Sequence, residues 1–160
     1  MAEKLSIRKG RIADRKQALE LWKELMDYQR SLIDRPMFDF VDDVDDVFMD
    51  IWDLHVRSRN KLALIAELSD RPIGILIAGT HRSHVMDRRE GYAHVLELAV
   101  TKKFRRKGIG QMLMEEFTRW AKDKGEDCLV LEVLPENDIA KDFYAKLGYE
   151  SIVEVWRKLI

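Results

Sequence analysis

Apolar residues along this chain alternate between two spacings, and each change of spacing marks a new element. Ala18, Leu21, Trp22, Leu25 and Tyr28 recur every three or four positions, which predicts a helix that packs one face inward and that Asp14 can cap. Leu5, Ile7 and Ile12 flank a short strand and turn before it. Pro36 breaks the chain, and a second helix is expected over residues 41–56. Val44, Val47, Phe48, Ile51, Trp52 and His55 fall on one side of it; Asp42, Asp43, Asp45, Asp46, Asp50 and Asp53 fall on the other.

Short apolar runs at 62–66 and 73–78 read as strands joined by the polar turn Ser69-Asp70-Arg71-Pro72, a hairpin by length and composition. The polar, basic stretch 81–89 reads as a mobile connection to a strand at 92–100. A helix over 108–124 follows, with Ile109, Leu113, Phe117, Trp120 and Ala121 on its buried side and Gly125 to stop it. The remaining pattern predicts a strand at 128–133, a short helix at 139–147 closed by Gly148, and a last strand at 152–156. No repeat, low-complexity tract or linker interrupts the series, so one domain spanning residues 1–160 is expected.

Composition narrows the class. A chain of 160 residues can bury about two-thirds of its unfolded surface, enough for a core without staples. It is 46% hydrophobic and 36% charged. No apolar run approaches the roughly 20 residues of a membrane span, and the first residues lack the apolar stretch of a signal peptide, so a cytoplasmic protein is expected, with no membrane partner. Cys128 is the only cysteine, in an apolar strand, which fits a core thiol better than a nucleophile. His55, His81, His84 and His94 have neither H-E-x-x-H spacing nor cysteine partners, and no metal is expected. A net charge of −1 speaks against nucleic acid as the partner.

The chemistry concentrates where the strand ending Leu98-Ala99-Val100 runs through Thr101-Lys102-Lys103-Phe104-Arg105-Arg106-Lys107 into Gly108-Ile109-Gly110-Gln111. Glycines without Cβ admit an anion to the main chain, and the free N–H groups of a helix's first turn point at it. Competing phosphate motifs do not fit. A Walker loop needs Gly-Lys-Ser/Thr, and the third glycine of a dinucleotide fingerprint would fall at Leu113. Arg105-x-x-Gly108-x-Gly110 instead resembles the Q/R-x-x-G-x-G/A motif of the GNAT superfamily of acyl-CoA-dependent N-acyltransferases. Downstream, Asn137-x-x-Ala140-x-x-Phe143-Tyr144-x-Lys146-x-Gly148-Tyr149 resembles that family's N-x-x-A-x-x-F-Y-x-K-x-G-F/Y segment.

The resemblance covers essentially the whole chain and implies an α/β (α+β) GNAT fold: a mixed, mostly antiparallel sheet flanked by helices, with two strands splayed at the cofactor site. It implies an acetyl-CoA-dependent N-acetyltransferase working by direct attack of a bound amine, small and cationic or on a peptide. A non-catalytic acyl-CoA-binding sensor is the alternative, and a homodimer is admitted. The main chain of Leu98, Ala99 and Val100 would meet the pantetheine arm, with an N–H near Leu98 as oxyanion donor. Arg105, Arg106, Lys107, Gly108, Ile109, Gly110 and Gln111 would hold the phosphates, and Asn137 would touch the arm as well as cap its helix. Tyr144 would be the general acid at the sulfur; by local chemistry alone it is a core aromatic beside Phe143.

The base stays open. A primary amine with a pKa near 10 must lose a proton before attack. In the histone-acetylating branch a glutamate on this strand serves, and His94 stands in its place here. Glu97 matches an acidic position of polyamine-acetylating relatives, and water is the third acceptor. The acidic face of the second helix could attract a cationic substrate, or be an ordinary solvated face.

Overall fold

The computed structural model describes residues 4–33, 40–82 and 91–158. The chain runs β1 (Leu5–Lys9), α1 (Arg15–Ser31), α2 (Val44–Arg57), β2 (Lys61–Leu68), β3 (Arg71–Arg82), β4 (Gly91–Val100), α3 (Ile109–Asp123), β5 (Leu129–Leu131) and α4 (Asp138–Lys146). The five strands form one sheet in chain order, antiparallel throughout except for the parallel β4–β5 pair.

The unbroken apolar runs of β2 and β3 follow from burial on both faces. Leu62, Leu64, Ala66, Leu76 and Ala78 pack with Ile109, Leu113, Phe117 and Ala121 of α3. Ala63, Ile65, Ile75 and Ile77 point the other way, against Ala18, Trp22 and Met26 of α1 and Phe48 and Trp52 of α2. Thus α3 covers one face of the sheet, and α1 and α2 together cover the other. Phe117 and Trp52 are fully enclosed, and truncating such a ring to alanine costs about 3–5 kcal/mol.

Several expectations shift. Asp14 is buried but does not cap α1: its carboxylate accepts from both Arg8 guanidinium nitrogens (2.7 and 2.9 Å) and from the Arg11 N–H (2.7 Å), pinning β1 to the turn. The arginine holds that carboxyl below its ordinary range. In α2 only Phe48, Trp52 and His55 are buried, while Val47 and Ile51 are each 39% exposed, because the helix rests on a narrower face than its apolar stripe. The hairpin turns on Ser69 and Asp70 alone, both at positive φ (49° and 66°), so Arg71 and Pro72 begin β3. β3 also continues through His81 and Arg82. Pro36 and residues 83–89 of the expected connection lie outside the described residues.

The largest departure is the last strand. Residues 151–158 form no strand, and Ile152, Val153, Val155 and Trp156 are 72–89% exposed. Alternating β-branched residues predict a strand, yet strand propensity is realised only when a ladder and a buried face are supplied. Here the fold supplies neither.

Candidate active site

Between β4 and α3 the backbone turns through two left-handed residues, Arg106 at φ 60° and Gly108 at φ 79°. Gly108 is the N-cap of α3, no side chain caps the helix, and a Cβ at this position would meet nothing within 4 Å. The first intrahelical bond runs from the Met112 N–H to the Gly108 carbonyl (3.0 Å), which leaves the N–H groups of Ile109, Gly110 and Gln111 for an anion in that open space. Arg106 and Lys107 lie exposed beside it. Gly110 also serves packing, since a Cβ there would sit 3.3 Å from Phe143 Cζ and its absence lets α4 close on α3.

Arg105 turns back from the cradle. Its Nε donates to the Val100 carbonyl (2.9 Å), its guanidinium lies 4.9 Å from the centre of the Tyr28 ring, and one terminal nitrogen is 3.5 Å from Glu24. Glu24 also accepts from the Lys102 N–H at 2.6 Å. The residue that begins the phosphate motif therefore ties the turn to the strand end and to α1.

β4 pairs with β5 only from Ala93 to Val95, opposite Leu129 to Leu131, whereas β3 follows β4 to Val100. Among the described residues, the β5 side of β4 from Leu96 to Val100 therefore carries no strand partner, giving a main-chain edge at Leu98, Ala99 and Val100 directly before the cradle. The β3–β4 register slips here: Gly79 faces His94, Ala78 faces Val95 and Ile77 faces Glu97, which leaves Leu96 as the extra residue. In a regular strand His94 and Glu97, three apart, would point to opposite faces. The bulge puts both on the α1–α2 face, because Gly79 and Ile77 share a face.

Glu97 is largely buried, and its Oε1 accepts from Trp22 Nε1 at 3.2 Å. Burial pushes its carboxyl up to about 7 against the lowering effect of the indole bond. Burial also lowers the His94 imidazole, with Glu132 pulling it up and His81 pressing it down, so His94 is neutral at pH 7. The His94 ring centre lies 5.3 Å from that of His81, which stacks on Tyr92 at 5.6 Å. Trp22 itself stacks on Phe48 (5.0 Å) and leans on Phe40 (5.4 Å).

Tyr144 of α4 packs on the α3 side with Phe143 and Tyr149, yet its phenol is held protonated by burial first, then by Tyr149 and by the charge of Glu97. Acid and base candidates thus stand on opposite sides of the sheet and meet electrostatically where β4 and β5 part. Asn137, 7% exposed, caps α4 by accepting from the Ala140 N–H (3.1 Å), and the Tyr28 hydroxyl lies 3.5 Å from the same oxygen. The helical spacing marks Trp22 and Tyr28 only as helix-face residues. A buried indole N–H requires an acceptor, which is the available signal, but nothing in the spacing names Glu97 as that acceptor.

The acidic face of α2 is partly engaged by α1: Asp45 bonds Lys23 at 2.6 Å, and Asp53 lies 3.3 Å from Arg15. Among the described residues no cluster of His, Cys, Asp and Glu could hold a metal ion.

A mixed sheet whose one parallel pair opens beside an uncapped helix N-terminus is the arrangement of the GNAT fold. Residues 19–149 match the model of the Acetyltransferase (GNAT) family, and the chain belongs to that family. Streptothricin acetyltransferase A of Bacillus subtilis is 31% identical over 119 residues, 74% of this chain and 62% of that protein. An uncharacterized N-acetyltransferase of Methanocaldococcus jannaschii is 30% identical over 98 residues, 60% of this chain and 43% of that protein. The chain thus spans roughly half the length of these relatives. Among solved structures, aminoglycoside N-acetyltransferase AAC(6')-Iy in complex with CoA superposes with a TM-score of 0.79 at 20% identity, covering 99% of this chain and 97% of that one.

Proposed function

We propose that this chain is an acetyl-CoA-dependent N-acetyltransferase in which a bound amine attacks the thioester directly, with Glu97 as base and Tyr144 as acid. One observation carries the reading: the strand edge at Leu98 to Val100, left without a β5 partner, runs directly into the uncapped N-terminus of α3 at Gly108. Acetyl-CoA fits this chain because the uncapped N–H groups of Ile109, Gly110 and Gln111 suit its phosphates and the open edge at Leu98, Ala99 and Val100 suits its amide arm. Bound there, it supplies the activated acetyl group.

Each residue then has a defined part in moving protons. An ammonium of pKa near 10 must be deprotonated, and a carboxyl poised at about 7 takes that proton directly or through one water. Tyr144 stays protonated at pH 7 and donates a hydrogen bond to the sulfur, stabilising the thiolate as the C–S bond breaks. His94, neutral and on the same face as Glu97, borders the amine and can relay the released proton.

The acceptor we infer is a small cationic amine or a peptide amino group. The names of the streptothricin and aminoglycoside acetyltransferases support a cationic acceptor. A cytoplasmic site of action fits an acetyl-CoA-using protein with a single cysteine. A homodimer is the assembly we infer, because Ile152, Val153, Val155 and Trp156 present apolar surface that a second copy would cover. Light scattering should then give twice the chain mass, and a monomer removes that inference.

The decisive assay offers acetyl-CoA with a panel of aminoglycosides, polyamines and amino-terminal peptides and follows free CoA thiol. Amine-dependent thiol release is the expected result. CoA binding without release for any amine class would instead leave a sensor.

A further inference from the structure

We propose that Trp22 is the positioning residue for Glu97, its indole N–H holding the carboxyl toward the β4–β5 gap in the orientation that receives the amine's proton. This rests on the reading of Glu97 as base. The two residues are 75 positions apart and meet only because α1 lies across β4, with Trp22 Nε1 donating to Glu97 Oε1 at 3.2 Å. Trp22 is 7% exposed and held between the Phe48 and Phe40 rings, so the N–H has one fixed direction. A buried indole N–H without an acceptor is costly, as is a buried carboxylate without a donor, and each satisfies the other.

The neighbourhood offers Glu97 little else. From β3 the facing residue is Ile77, which is apolar. From α4 comes the Tyr144 phenol, which senses the charge of Glu97, and along β4 the same face carries His94. Burial and the indole bond are the two influences on the carboxyl, and they oppose each other. Among the described residues, no cation takes part. Trp22 therefore decides both where the carboxylate points and the pH at which it becomes available, which a ring that merely filled the core would not do.

The test uses full-length protein labelled with carbon-13 at the glutamate side-chain carboxyls, with the Glu97 signal assigned by its loss in Glu97→Gln. Trp22→Phe keeps an aromatic ring against Phe48 and removes the donor. The Glu97 titration should move up by about one pH unit, the worth of a hydrogen bond to a charged group. Met26→Ala, one turn along α1 and equally buried, removes packing without touching the indole and should leave the midpoint in place. A CoA-dependent rise in Tm confirms that each variant is folded. An unchanged midpoint in Trp22→Phe, or an equal shift in Met26→Ala, overturns the proposal while leaving the base reading standing. The base reading is tested separately with an amine from the panel: if Glu97→Gln keeps the wild-type acidic limb of kcat/KM, Glu97 is not the base and the role given to Trp22 falls with it.

Discussion

On the proposed reading, the cofactor half and the acceptor half of the site are assembled in opposite ways. The cofactor half runs from Leu98 through Gly108 to Gln111, a single stretch of chain whose useful groups are main-chain N–H donors and an open strand edge. The acceptor half collects Trp22 from α1, Phe48 from α2, His81 from β3, and Tyr92, His94 and Glu97 from β4, and works through side chains. Backbone donors depend on local geometry and tolerate side-chain change, provided the cradle stays empty. Side-chain chemistry held by packing changes with any residue of the set. The first half should fail when something is added to it, and the second when something is taken away.

The largest effect is expected from filling the cradle. Gly108→Glu places a carboxylate where a Cβ now meets open space, and CoA affinity should fall roughly 100-fold or more, abolishing the CoA-dependent rise in Tm. Gly108→Ala is the strain control, since φ 79° costs an alanine about 1–2 kcal/mol of stability without adding charge. Retained CoA stabilisation in folded Gly108→Glu would place the phosphates elsewhere.

Next comes Glu97→Gln, which should lower kcat/KM at neutral pH by about 100- to 10,000-fold and remove an acidic limb near pH 7. It should also alter stability in a direction opposite to that of a paired carboxylate. Burial holds the folded-state value at about 7, above the ordinary 4.5, so the stability linked to this proton is fully present below pH 4.5 and is lost as pH rises through 7. Glutamine does not ionise. Thermal melts should therefore show Glu97→Gln stabilised at pH 8, by at most about 3 kcal/mol, and little changed near pH 4.5. Equal melting differences at both pH values would refute the buried-carboxyl account.

Tyr144→Phe keeps the ring against Phe143 and Tyr149 and removes the hydroxyl, so kcat should fall about 10- to 1000-fold with CoA affinity nearly unchanged. Wild-type single-turnover rates would make Tyr144 structural. Smallest is Arg105→Ala. The guanidinium contacts Val100, Tyr28 and Glu24, while the cradle's N–H donors remain, so CoA affinity should weaken by about threefold and stability should fall slightly, by roughly 1 kcal/mol. A 100-fold loss of affinity by calorimetry would return Arg105 to the phosphates.

The sequence by itself determined much of the turn from Leu98 to Gln111. Glycine spacing, the strand before it and the Asn137 to Tyr149 segment announce a local backbone geometry, and local geometry is set by residues near one another in the chain. The Asn137 cap and the order of elements from β1 to α4 were legible for the same reason. The final strand was not, because alternation at 152–156 states a propensity while a strand requires a partner edge. Only the tertiary structure decided what surrounds Glu97. One extra residue at Leu96 turns Glu97 to the face that His94 occupies, and the lie of α1 across β4 brings the Trp22 indole to it. The depth of burial that sets the carboxyl near 7 arises from that packing, since desolvation is a property of everything surrounding a group and of no single stretch of chain.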